Sequence, residues 1–385
     1  MCTISVVAQV SSTKCAETEV SLDAQHSVAR LDRCGDDVSA PLLWHLDRID
    51  QVGATLDGKF DRRNGGAGTV IYIMDTGVLA AHDEFASAHG SRVVAGFDVT
   101  GSVTLGRSRC VSANKAIAPC FEDVDELAAA SHGTSVASIA AGRNVGVAPE
   151  ASIVSVRVMN ERGLATTRTY LEGLEAIIRH AWDPASPNGT TSIVNISGWV
   201  LEQLSGEKRT LPVVPYETVE QKIRQMIAGV DAHGRPDPNG KRFLFVVAAN
   251  NTDGGCGPSG KIDRFPAVLG NKTDGLITVG GMTAENLTWS GTCRDGVEVL
   301  APAQGIFSAT ITATDHYRGR RPNLRSGTSF AAPIIAGIAA RMLADRPDLT
   351  PQQLEWWIAS TPSHVDDPSS SMADGRVGFV PHPVD

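Results

Sequence analysis

Apolar runs that never alternate with polar residues constrain this chain most. Val70-Ile71-Tyr72-Ile73-Met74 and Phe243-Leu244-Phe245-Val246-Val247 are short and rich in β-branched or aromatic residues. A strand that buries both of its faces reads this way, and such strands belong to parallel sheets covered by helices on both sides. Segments of helical character lie among them: a small-residue run from Val136 to Ala141, an amphipathic stretch around Val219 to Val230, and the apolar positions Ile334, Ile335, Ile338 and Ala339. The last of these continues to about Asp345, with Pro347 beyond it as a stop. Strands alternating with helices predict an α/β fold with one doubly wound, mostly parallel central sheet and helices on both faces. The 385 residues would allow two domains. The alternation favours a single domain over 41–385, preceded by an extension or shortened prosegment over 1–40.

Three polar segments punctuate this pattern. Asp75-Thr76-Gly77 ends the first apolar run, Ser131-His132-Gly133-Thr134 opens the small-residue helix, and Ser326-Gly327-Thr328-Ser329-Phe330-Ala331-Ala332-Pro333 opens the last apolar helix. A serine hydroxyl is a weak nucleophile at neutral pH, so it needs a neighbouring base and donors for the charge that develops on the substrate oxygen. Ser329 at a helix start, His132 as base and Asp75 as the acid that holds the histidine tautomer meet that need. Pro333 is expected in the first turn, where a missing N–H costs little. The order acid, base, nucleophile is one of three known orders for this kind of triad.

With these motifs in this order the chain resembles the subtilases, the subtilisin-like serine proteases, from roughly Ala40 to Pro362. Gly146-Val147-Ala148-Pro149, Ser192 to Gly198, Phe265-Pro266-Ala267 and Val299-Leu300-Ala301-Pro302 are similar to further family segments. The resemblance implies a subtilisin-like fold and a serine endopeptidase that works through an acyl-enzyme. It places Asn251, or Asn250 as fallback, at the oxyanion, because Ala248-Ala249-Asn250-Asn251 stands where the family has Ala-Ala-Gly-Asn. Asn tolerates left-handed backbone angles, which makes Asn250 an acceptable replacement for that Gly. Ser197, Gly198, Trp199, Ala248 and Ala249 are implied to line the substrate site. Departures from the family pattern are Ser135 for a second histidine, Gly198-Trp199 for Leu-Gly, Phe330 for Met, and a short stretch between Ala141 and Val147 that omits a calcium-binding loop found in some relatives.

The resemblance also suggests a disulfide between Cys256 and Cys293. Cys110 and Cys120 are a second candidate pair, and two of Cys2, Cys15 and Cys34 a third; the alternative is seven scattered thiols in a reducing compartment. Bridges would imply a secreted or otherwise extracytoplasmic protein. No cofactor is required by the expected chemistry. Structural calcium, with the acidic run Glu122, Asp123, Asp125 and Glu126 as one place for it, is left open, and metal ligands are otherwise unknown.

The formal net charge of −9, without a basic stripe, gives no electrostatic support for nucleic-acid binding. No apolar run is long enough for a membrane span. The expected partner is a protein or peptide substrate, met by a monomer. Asp75-Thr76-Gly77 also resembles the motif of aspartic proteases, but these need two such carboxylates and the chain has one Asp-Thr-Gly. Two alternatives stay open: a pseudoprotease that binds without cutting, and a peptide ligase or esterase on the same scaffold.

Overall fold

The computed structural model describes residues 43–50, 55–56, 60, 64–100, 132–160, 163–186, 189–202, 212–253, 256–257, 260–311 and 324–360. Seven strands form its central sheet: β1 Val70–Asp75, β2 Val93–Asp98, β3 Ser152–Arg157, β4 Thr191–Ile196, β5 Arg242–Ala248, β6 Leu276–Met282 and β7 Val299–Pro302. Their order across the sheet is β2-β3-β1-β4-β5-β6-β7, and every neighbouring pair is parallel. Five helices cover it: α1 His132–Ala141, α2 Thr167–Ala181, α3 Tyr216–Ala228, α4 Thr328–Asp345 and α5 Pro351–Ser360. This is the doubly wound α/β architecture expected from the alternation of patterns.

Strand side chains alternate faces, so the continuous apolar runs feed two cores at once. Ile71 and Ile73 of β1, with Leu244 and Val246 of β5, pack against Val136 and Ile139 of α1 and Ile334 and Ile338 of α4. Val70, Tyr72 and Met74, with Phe243 and Phe245, pack on the other face against Leu174 of α2 and Ile223 of α3. Burying one such aliphatic side chain contributes about 2 kcal/mol, which is why these runs hold their strands where local propensity alone would not. A capping box between Thr166 and Thr169 starts α2.

The topology sets the site. After β1 the chain turns toward β2 on one side; after β4 it turns toward β5 on the other. The carboxyl ends of β1 and β4 therefore flank the crevice where open α/β sheets bind ligands. Met74 pairs with Ile196, so Asp75 and Ser197 are the next residues along both strands.

Candidate active site

Asp75 closes β1 and is fully buried. Its Oδ1 accepts the Nδ1–H of His132 at 2.8 Å and the backbone N–H of Thr76 at 2.7 Å. An ionised carboxylate only accepts, so Nδ1 carries the proton and Nε2 of the neutral imidazole is the basic nitrogen. His132 is the first residue of α1, and its side chain keeps 23% exposure. The buried phenol of Tyr170 is pushed up by burial and then by the charge of Asp75, so it stays neutral beside the carboxylate.

The turn after Asp75 is clamped onto α1. The N–H of Gly133 donates to Thr76 Oγ1 and that of Leu79 to Thr134 Oγ1, each at 3.0 Å. Only glycine fits at position 133, because a Cβ there would lie 2.2 Å from the carbonyl oxygen of Gly77.

Ser329 is the second residue of α4. Gly327, just before the helix, has φ 149° and ψ 153°, a conformation essentially confined to glycine. The ring of Phe330 lies 5.4 Å from that of His132, so the N-termini of α1 and α4 meet at the crevice. Pro333 departs from the sequence expectation: α4 begins at Thr328, which puts Pro333 past the first turn. Without an N–H it cannot bond the carbonyl four residues back, which is that of Ser329. Ser197 Oγ donates to that carbonyl at 2.8 Å and itself accepts from Asn195 Nδ2 at 2.9 Å. A helix defect thus becomes a hook that fastens Ser329 to the end of β4.

Asn250 takes the left-handed conformation, with φ 73°, and its side chain turns into the buried interior. Asn251 Oδ1 accepts the backbone N–H of Thr328 at 3.0 Å and its hydroxyl at 3.1 Å, which holds the Asn251 amide at the start of α4. The N–H of Phe330 is committed to the Gly327 carbonyl. That of Ser329 belongs to the first helical turn, whose donors have no partner within the helix.

The remaining expected site residues lie along the same strand ends. Gly198 and Trp199 are half-buried, whereas the side chains of Ala248 and Ala249 are buried. A Cβ on Gly198 would fall 2.2 Å from Cε of Met159, so the thioether occupies the space that a larger residue at 198 would need. The guanidinium of Arg264 stacks over Trp199, 4.8 Å from its ring centre. Neither Met159 nor Arg264 carries a local sequence signal; each acts through a residue distant in the chain.

The model for the subtilase family, peptidase S8, matches residues 66–379, a span that contains Asp75, His132 and Ser329 in one frame. The chain belongs to the subtilase family. It is 29% identical over 325 residues to alkaline serine exoprotease A of Vibrio alginolyticus, covering 83% of this chain and 47% of that protein. It is 29% identical over 322 residues to an extracellular serine proteinase of Thermus sp. strain Rt41A, covering 82% and 60%. Subtilisin-like protease 3 of Pseudogymnoascus destructans is 31% identical over 356 residues, covering 90% and 67%. The chain therefore spans about half to two thirds of the length of these relatives. A crystal structure of a cold adapted subtilisin-like serine proteinase superimposes with a TM-score of 0.59 at 27% identity, covering 89% of this chain and 98% of that one.

Two departures of this subtilase from the family pattern have a visible physical basis. Ser135 is buried and donates to the Ala309 carbonyl at 2.7 Å, and Ser138 Oγ accepts the Ala309 N–H at 2.9 Å, so a short polar ladder fills the place of the second histidine. The short stretch after α1 is stapled by Glu84, a fully buried carboxylate that the sequence did not mark. Its oxygens accept the Asn144 N–H at 2.9 Å, Asn144 Nδ2 at 2.8 Å and the Val145 N–H at 3.2 Å. Among the described residues no group of three His, Cys, Asp or Glu side chains gathers as a metal site would require. The structure joins Cys256 to Cys293, with Cα atoms 5.6 Å apart. Cys110, Cys120, the N-terminal cysteines and the acidic run Glu122 to Glu126 lie outside the described residues.

Proposed function

We propose that this subtilase is a serine endopeptidase that hydrolyses peptide bonds through Asp75, His132 and Ser329. The observation that carries the reading is the hydrogen bond from His132 to the buried Asp75, made at the helix N-terminus that abuts the start of α4. Ser329 Oγ attacks the scissile carbonyl carbon while His132 Nε2 takes its proton. The tetrahedral oxyanion receives hydrogen bonds from Asn251 Nδ2 and the Ser329 N–H, with the N-terminal dipole of α4 adding to the field. As the C–N bond breaks, His132 returns the proton to the departing amine. Water, deprotonated by the same imidazole, then hydrolyses the acyl-enzyme and restores the serine. Asp75 stays ionised throughout and stabilises the imidazolium. No cofactor takes part in these steps.

Ser197, Gly198, Trp199 and the backbone of Ala248 and Ala249 form the substrate edge in this reading. The protein acts as a secreted monomer on proteins or peptides. The Cys256–Cys293 bridge and the name of the Thermus relative, an extracellular serine proteinase, support secretion, and no helix among the described residues is long and apolar enough to cross a membrane.

The test is an active-serine fluorophosphonate followed by peptide mass spectrometry. A single adduct on Ser329 is expected, and its absence from folded protein would refute the reading. Asp75→Asn should lower kcat by about ten thousandfold while leaving the fold intact, because an amide in place of the carboxylate holds the wrong histidine tautomer. Near-normal turnover in that variant would exclude Asp75 from the triad.

A further inference from the structure

Asn251 sits in a short backbone ladder that the chemistry above does not use. Its neighbours on both sides bond to a segment between β6 and β7. The Thr252 N–H donates to the Gly291 carbonyl at 2.9 Å, and the Cys293 N–H donates to the Asn250 carbonyl at 3.1 Å. Asn251 thereby pairs with Thr292 as in an antiparallel sheet. A pair of strands this short is a weak hold by itself in water.

The two arms of the ladder are secured differently. The 289–293 arm is fixed to β6, where the Trp289 N–H donates to the Gly281 carbonyl at 2.9 Å and Thr292 Oγ1 accepts the Gly281 N–H at 3.1 Å. The indole of Trp289 packs on Gly281 and Gly291, whose added Cβ atoms would fall 2.9 and 2.3 Å from ring carbons. The Asn251 arm leaves β5 as a loop, and the Cys256–Cys293 bridge ties that loop to the fixed arm across 37 positions of chain. Cys293, fully buried, is both a rung of the ladder and the anchor of the bridge.

The other side of Asn251 faces the nucleophile's helix. Its Oδ1 holds the Thr328 N–H and hydroxyl, and its Nδ2 lies 3.5 Å from where a Cβ on Gly327 would stand, two residues before Ser329. The ladder therefore sets where this amide lies relative to Ser329. A donor displaced by about 1 Å from a developing oxyanion can cost on the order of a hundredfold in rate.

We propose that the Cys256–Cys293 bridge is a positioning element for the reaction: it clamps the Asn251 loop onto the 289–293 segment, fixes the oxyanion donor, and makes turnover depend on the redox state of the bridge. The proposal rests on the serine-endopeptidase reading and adds a positioning group and a redox dependence to that same site.

The experiment compares kcat and KM on a peptide anilide for the full chain as wild type, as Cys256→Ser/Cys293→Ser, as Asn251→Ala, and with all of these changes combined. Loss of the bridge should lower kcat by about tenfold to a hundredfold with little change in KM, and should add nothing where Asn251 is already alanine. A merely structural bridge would lower the unfolding midpoint in both backgrounds without this difference in kcat. A second arm treats the folded wild type with a dithiol, which passes two electrons and two protons to the bridge and leaves as its own cyclic disulfide. With Cys256 and Cys293 mapped as thiols by mass spectrometry, kcat should fall with the reduced fraction, and the variant lacking both cysteines should not respond. Unchanged kcat in chains without the bridge, or an equal loss in the Asn251→Ala background, overturns the inference, while a fluorophosphonate adduct on Ser329 of the wild type leaves the peptidase reading standing. Folded wild type without that adduct overturns both.

Discussion

Glu355→Gln should lessen an alkaline instability built into the edge of the sheet. Glu298, just before β7, accepts the N–H of Asn271 at 3.1 Å and of Thr278 at 2.5 Å. Glu355 on α5 accepts the N–H of Gly275 and is hydrogen-bonded to Glu298. Two carboxylates cannot bond each other, so one holds a proton. Burial first, and then the charge of Glu355 and the hydrogen bond with it, push Glu298 up to about 8 against the lowering by its two backbone donors. Glu355 is raised too, by burial and then by Asp274. The folded state thus keeps a proton that the unfolded chain releases near 4.5. This contribution is complete below that value and is lost as pH rises through about 8. At about 1.4 kcal/mol per pH unit and proton, the interval from pH 6 to 8 removes roughly 2–3 kcal/mol. A glutamine amide donates to Glu298 and its carbonyl accepts the Gly275 N–H, so the variant keeps both bonds and needs no shared proton. Thermal unfolding would be followed at pH 6 and pH 9 in a Ser329→Ala background, which stops self-digestion. Equal midpoints at pH 6 and a variant a few degrees more stable at pH 9 are expected, since roughly 1 kcal/mol moves the midpoint by about 2 °C in a chain of this size. If both proteins lose stability in parallel between these pH values, the shared proton is not where the geometry puts it.

Two further outcomes test the parts of the site. Asn251→Ala should lower kcat by about a hundredfold or more with little change in KM, whereas Asn250→Gly, which accepts φ 73° without strain, should keep its turnover; the reverse pattern in steady-state kinetics would move the oxyanion donor to Asn250. Ser197→Ala leaves the Ser329 carbonyl without its donor and should cost about 1–3 kcal/mol in urea unfolding, together with a fall in kcat, while unchanged stability and turnover would dismiss the hook.

What the sequence made legible and what it hid divide along one physical line. Asp75, His132 and Ser329 each sit where a regular element begins or ends, so local pattern singled them out as candidates: β1 stops at Asp75, α1 starts at His132, and Ser329 is the second residue of α4. The doubly wound sheet was readable for the same reason, since runs such as Val70 to Met74, short and rich in β-branched or aromatic residues, read as strands buried on both faces. Contacts between distant segments leave no such mark. Glu84 meets Asn144 at 60 positions' separation, and Ser197 reaches Ser329 across 132. Pro333 shows how the two levels interact. Local reasoning assigns it to the first turn because an interior proline costs a helix about 3 kcal/mol. The helix nevertheless begins earlier, and the carbonyl that Pro333 leaves without a helical donor is the one Ser197 holds. Part of the cost of an interior proline is thereby offset, and the bond that offsets it also fixes the backbone of Ser329, the nucleophile of the proposed reaction. Proline at 333 and a hydroxyl at 197 are therefore one device, and a change at either should be felt at Ser329.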